Sequence, residues 1–185
     1  FLIQDFDDNS FGNEGFRHVK RLDHFINIAS GEDIAALTGA SGKKPTTFDE
    51  LLNLLRADFQ QAVSEGVVAI KIGVAYTRPL NFENPGRDKA KKLFLETLST
   101  PPGQPLSFQE VKPLQDFMLH RIIGLAREFN LPVQIHTGLQ AGNGNKAENA
   151  NPTLLTNLFQ SYPQVKFVLF HGGYPFGSEL ASLAK

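Results

Sequence analysis

Residues 67–74, Val-Val-Ala-Ile-Lys-Ile-Gly-Val, are apolar at odd and even positions alike, and Lys71 is their single charge. A strand with one wet face alternates polar and apolar residues. One that is apolar on both sides must be covered on both, as strands of parallel α/β sheets are. Two more short strand-forming runs follow, Pro132–His136 (PVQIH) and Val165–His171 (VKFVLFH). Upstream, residues 1–6 form a weak strand candidate, and residues 16–28 alternate enough to contain another.

Helical patterns separate these runs. Thr47-Phe48-Asp49-Glu50 fits a capping box, Leu51, Leu55, Phe59 and Ala62 make one apolar face, and Gly66 supplies a stop. The segment 77–106, rich in Pro and Gly, reads as an insertion around one helix at about 87–99. Pro113 is expected in the first turn of the next helix, where its missing N–H costs nothing. Leu114, Phe117, Met118, Ile122, Leu125 and Phe129 form the inward stripe of that helix, with His120 facing away. Asn151 and Pro152 open a further helix that Pro163 ends, and Glu179 lies at the start of the last.

Alternating α and β units of this kind predict a parallel sheet, either open or closed into a (β/α)8 barrel. A closed barrel takes about 250 residues, and the chain has 185. The pattern therefore predicts a part-barrel or a doubly wound sheet. The expected organisation is a single domain over 1–185. With no initiator Met, and a last helix that has only just begun, the sequence is expected to be a partial chain.

Composition narrows the partners. Lys+Arg 18 against Asp+Glu 19 leaves a net charge of -1, without the basic excess that nucleic acid or an anionic membrane surface requires. No apolar run reaches the roughly 18 residues of a membrane-spanning helix. Cysteine is absent, which removes disulfides, thiolate metal sites and cysteine nucleophiles. The default expectation is a cytoplasmic protein acting on a small molecule. Self-association is also expected, through the strand edges of an unclosed barrel.

Three ionisable residues share one structural position. Lys71 lies within or near the end of its strand, and His136 and His171 each close theirs. Strand C-termini line the mouth where α/β proteins gather catalytic residues. Thr137-Gly138 and Gly172-Gly173 follow the two histidines, and small residues there let the chain turn sharply. Imidazoles from successive strands are close enough to share a metal ion, and zinc accepts neutral histidine nitrogen. A lone strand-end histidine is more often a hydrogen-bonded structural residue; two at equivalent positions weaken that reading. Tyr76 and Arg78 could reach the same mouth and bind a polar or anionic substrate. His24 could be a site residue or part of a solvated strand edge, and His18 lacks context. Gly142-Asn143-Gly144-Asn145 predicts a loop over the mouth, without the Lys-Ser/Thr ending of a phosphate loop.

The segments Val67–Lys71 with Ala75-Tyr76, Leu131–Gly138, and Phe167–Pro175 resemble the amidohydrolase-related family of TIM-barrel metal-dependent hydrolases. Within it, they are similar to the amidohydrolase-like domains fused to glutamine synthetase in fungi and plants. The resemblance covers residues 47–185. It implies that the three strands are the fourth, fifth and sixth of the barrel, and that His136 and His171 are metal ligands. Lys71 would be the position that some members carboxylate to bridge two metals. The implied metal is zinc, with manganese as the alternative, and the implied chemistry uses metal-activated water. Two parts of the family pattern are missing: no His-x-His occurs, and no eighth-strand Asp is reached. The 185-residue chain alone is therefore expected to bind metal poorly and to be inactive.

The leading expectation is a metal-dependent hydrolase. A decarboxylase or a uronate-isomerase-like enzyme of the same scaffold is the alternative, since fold does not decide reaction class. A non-catalytic part-barrel is the expectation from a different class.

Overall fold

The computed structural model describes residues 2–5, 16–38 and 42–183. Five strands, β1 (Leu2–Asp5), β2 (Phe16–Arg21), β3 (Ala69–Ile72), β4 (Val133–Ile135) and β5 (Phe167–Leu169), form one sheet. Every pairing is parallel, and the strands lie in chain order. In a doubly wound sheet the order reverses at a switch point. Here each strand sits beside its predecessor, which is the order of staves in a (β/α)8 barrel. The sequential order decides between the two predicted architectures.

The helices are α1 (Gly31–Ala36), α2 (Phe48–Ser64), α3 (Arg87–Leu98), α4 (Phe108–Glu128), α5 (Thr156–Ser161) and α6 (Gly177–Leu183). The chain divides into two compact units, each discontinuous in sequence. One comprises Phe1–Asp23, Gly66–Phe82 and Ala126–Lys185 and contains the whole sheet; the other comprises His24–Glu65 and Glu83–Leu125.

In the sheet unit, all four residues of β3 are buried, as its two-sided apolar pattern requires. β4 is likewise buried throughout, whereas Val168 on the edge strand β5 is 43% exposed. Asn151 caps as predicted, its Oδ1 accepting from Thr153 N at 2.9 Å. The turn it opens is 3-10 over Pro152–Leu155, and α5 begins only at Thr156.

In the second unit, the Thr47 capping box forms: Thr47 Oγ1 accepts from Glu50 N at 3.2 Å, and Thr47 N donates back to Glu50 Oε2 at 3.1 Å. Phe48 packs its ring against Phe94 at 5.8 Å and Phe117 at 5.5 Å. Two expectations for α4 are corrected. The helix begins at Phe108 rather than around Pro113, because Ser107 and Glu110 form a capping box of their own, with Ser107 N donating to Glu110 Oε2 at 2.8 Å. Pro113 thus falls in the second turn.

His120, expected at the surface, is buried at 6% exposure. The predicted stripe is buried from Leu114 to Leu125, with Phe129 half-buried beyond the helix end, but so are Lys112, Gln115, Asp116, Leu119 and Ile123 on its other sides. α4 is enclosed nearly all round, so amphipathic reasoning fails for it. Lys112 Nζ bonds Asp116 Oδ2, which also accepts from Glu83 N at 3.0 Å. Burial holds the His120 imidazole below its usual pKa, against the opposing pull of the Glu83 backbone and the Asp116 charge.

Candidate active site

Strand register assembles the site in two rungs. Arg21 pairs with Lys71, and Lys71 with Gln134. Aligned residues of parallel strands share a face, and so do residues two apart along each strand. The next rung is therefore Asp23, Gly73 and His136. The ladder runs that far, through Leu22 N to Lys71 O at 3.3 Å and His136 N to Ile72 O at 2.8 Å.

Asp23 ties the strand ends together. Its Oδ2 accepts from Arg21 Nε at 2.6 Å, and its Oδ1 accepts from Gly73 N at 2.7 Å. A Cβ at Gly73 would stand 2.6 Å from Arg21 Nη2 and 2.9 Å from Asp23 Oδ2, so a side chain there would have to displace the Arg21 guanidinium. Reasoning from the sequence missed Arg21, Asp23 and Gln134. The usable signal was the alternation Val19, Arg21, Asp23 at the end of β2.

His136 follows directly on β4 and is 8% exposed. Its Nε2 lies 2.8 Å from the Leu139 carbonyl oxygen. A carbonyl only accepts, so the proton is assigned to Nε2 and Nδ1 keeps its lone pair. Burial lowers the pKa of the ring. The charges of Lys71, His171 and Arg21 lower it further, and the Leu139 bond opposes them. The shift favours the neutral ring, the form that ligates a metal.

His171 reaches the same place by a different route. The register partner of Gln134 is Val168, so alternation would put Phe170 on the site face and His171 on the other. Instead the chain leaves β5 with φ 60 at His171, 55 at Gly172 and 65 at Gly173, all left-handed. That conformation is uncommon outside glycine. It brings the His171 ring to 4.7 Å from His136, edge-on at 64°. The two turns are locked to each other. Thr137 Oγ1 donates to Phe170 O at 2.8 Å, and a Cβ at Gly138 would meet Tyr174 O at 2.3 Å. The small residues after each histidine thus permit close approach as well as sharp turning.

Lys71 is 8% exposed, with Nζ over the Phe170 ring at 3.0 Å from its centroid. A ring face attracts the charged ammonium, whereas carboxylation needs the neutral amine. The Gln134 Oε1 atom on the same rung is buried and has no hydrogen-bond partner among the described residues. The Tyr76 ring lies 4.7 Å from His136, and its hydroxyl accepts from Ala141 N at 3.2 Å. Gln140 Nε2 donates to Ala75 O at 2.8 Å. The start of the loop after β4 is therefore pinned beside the site, while residues 141–148 are exposed.

Other candidates stand elsewhere. Arg78 is 2% exposed, donating to Pro79 O and Asn81 O, each at 3.2 Å, with its guanidinium 4.3 Å from the Phe82 ring centroid. These contacts hold its own loop. His24 lies against Phe25 with Nε2 3.7 Å from Asp58 Oδ2, its side chain 49% exposed. His18 lies within β2.

In kind, the His136–His171 pair fits a divalent metal. Both donors are imidazoles, and the second nitrogen of His136 is oriented by a carbonyl, as in ligating histidines. In number it is short. A catalytic zinc takes three protein ligands, and among the described residues no group of three His, Cys, Asp or Glu side chains converges. No described helix is long and apolar enough to cross a membrane.

Comparisons with known proteins agree with this fold. Protein fluG of Emericella nidulans is 28% identical over 151 residues, 75% of this chain and 17% of that protein. A protein described as a metal-dependent hydrolase from Lactobacillus casei superposes with TM-score 0.69 at 24% identity, covering 91% of this chain and 41% of that one. Uronate isomerase from Thermotoga maritima follows with TM-score 0.65 at 17% identity, covering 84% and 37%. The chain thus spans less than half the length of each, and its sheet is part of their barrel fold. The amidohydrolase family model matches residues 62–185, which takes in β3, β4, β5 and every residue of the His136–His171 pair's surroundings except Arg21 and Asp23. The chain belongs to the amidohydrolase family.

Proposed function

We propose that this chain supplies part of the active site of a metal-dependent hydrolase acting on a small polar substrate. The observation that supports the reading is the edge-on pairing of His136 and His171, 4.7 Å apart at the ends of adjacent parallel strands, in a member of this family. These two imidazoles would hold a divalent metal, zinc or manganese. Bound there, such a metal supplies Lewis acidity and lowers the pKa of water. The residues of the chain do the rest. The Leu139 carbonyl fixes the His136 tautomer, and burial favours the neutral ring. Lys71 provides a buried positive charge on the same face, held against Phe170. In its ammonium form it attracts negative charge; only as a neutral amine, carboxylated, could it join a metal. Tyr76 packs on His136 and limits how substrate enters.

A second reading, isomerisation of a sugar acid, is supported by the fold likeness to uronate isomerase from Thermotoga maritima. Assaying the protein expressed from its full reading frame, with zinc or manganese, separates the two. Hydrolysis of amide, ester or lactone substrates, lost in His136→Ala, is the expected result. Isomerisation or carbon dioxide release without hydrolysis would replace the hydrolase reading.

A further inference from the structure

We infer that Asn143 is a site of spontaneous deamidation, where water converts the side-chain amide to a carboxylate in the loop bordering the imidazole pair. Asn143-Gly144 is the single Asn-Gly pair of the sequence. The residue after an asparagine matters because deamidation runs through its backbone nitrogen. That nitrogen attacks the side-chain carbonyl carbon, and the amide nitrogen leaves with the backbone proton as ammonia. A five-membered succinimide remains. Water opens it at either carbonyl, giving aspartate or isoaspartate, so one ammonia leaves, one water enters and nothing is oxidised or reduced. A side chain on the attacking residue crowds this ring closure, and glycine has none.

The fold leaves the reacting atoms open. Residues 141–148 are exposed, and neither Asn143 nor Gly144 is hydrogen-bonded among the described residues. The attacking nitrogen is therefore not held as a donor. A Cβ at Gly144, where φ is +80, would meet nothing within 4 Å, so no neighbour blocks the ring. Asn145 is the contrast within the same loop. Its Nδ2 donates to Ala141 O at 2.7 Å and to Gly142 O at 3.3 Å, and Lys146 follows it, so its amide is held and its neighbour is bulky. Position gives the change a consequence. Ala141 N donates to the Tyr76 hydroxyl at 3.2 Å, and the Tyr76 ring lies 4.7 Å from that of His136. Deamidation adds a negative charge two residues from that tie. Isoaspartate also routes the main chain through Cβ, lengthening it inside the span that Asn145 closes onto Ala141 and Gly142. The reaction needs only water and is independent of what the imidazole pair catalyses.

Peptide mapping by mass spectrometry tests this on the folded protein, expressed from its full reading frame and incubated in mildly alkaline buffer made with oxygen-18 water. The peptide containing Asn143 should take up one heavy oxygen earlier than any other asparagine peptide and appear as two products, aspartate and isoaspartate. Asn145 should stay an amide over the same period. Gly144→Ala should slow the conversion of Asn143 to the level of the other asparagines. Asn143→Gln, whose extra methylene would enlarge the ring to six members, should leave that peptide unlabelled, and it carries the decision if circular dichroism shows that Gly144→Ala does not fold. An Asn143 that stays intact in the folded protein, whether or not it converts after unfolding in guanidinium, would overturn the inference. So would faster conversion at another asparagine, or aspartate formed without isoaspartate.

Discussion

The rings of His136 and His171 lie 4.7 Å apart although strand alternation alone would send them to opposite faces of the sheet. Three consecutive left-handed residues after β5 make the difference, and the turn after β4 is built to receive them.

Glycine substitutions in the two turns should therefore differ in severity. Gly172 has φ +55 but open space around it, so Gly172→Ala meets only the backbone penalty, about 1 kcal/mol. Gly138 has φ +67 and backbone atoms of Gly173 and Tyr174 within 2.6 Å of its Cβ position. Gly138→Ala should cost more than about 2 kcal/mol and separate the two rings. Urea unfolding of both variants checks the order, and equal costs would mean that the turns do not pack as described.

Thr137→Val keeps the shape of that residue and removes its hydroxyl bond to the Phe170 carbonyl. A loss of about 1 kcal/mol is expected. Nuclear Overhauser contacts between the His136 and His171 rings should weaken at the same time. A stability loss with undiminished ring contacts would show that the bond steadies the turn without setting the pair.

His120 predicts a pH dependence. Its folded-state pKa is below the usual 6.5 because the ring is buried. As pH falls through 6.5, the unfolded chain binds a proton that the folded chain resists, so stability declines toward acid. The urea midpoint of the wild type should fall more steeply than that of His120→Gln between about pH 7 and about pH 5.5. Parallel curves would mean that the buried imidazole titrates as it does in the unfolded chain.

How far the sequence could be read follows from which forces were local. The two-sided apolar run at 67–74, the Thr47 box and the Asn151 cap are encoded by neighbouring residues, and each is present in the structure. The start of α4 is encoded equally locally, by Ser107 and Glu110, and Pro113, a first-turn residue by preference, stands in the second turn instead. His120 went wrong for another reason: no pattern within a helix reveals that both its sides will be covered. At the site, strand-end position was enough to single out Lys71, His136 and His171, and the structure brings the two imidazoles together. Arg21 and Asp23 depend on register with β3, some fifty residues away in the chain, and no local signal carries that.

The shortage of ligands makes its own prediction. Among the described residues two imidazoles converge, one short of the three protein ligands of a catalytic zinc, so the 185-residue chain by itself should take up zinc weakly and turn over little substrate. Robust hydrolysis by that chain alone would show that its own residues complete the site.

Zinc titration followed through the histidine ring signals, assigned by single His→Gln variants, tests the central claim most directly. The account predicts that zinc shifts or broadens the signals of His136 and His171 together and leaves those of His18, His24 and His120 in place. Zinc that moves His24 or His18 while the strand-end pair stays unchanged would contradict it.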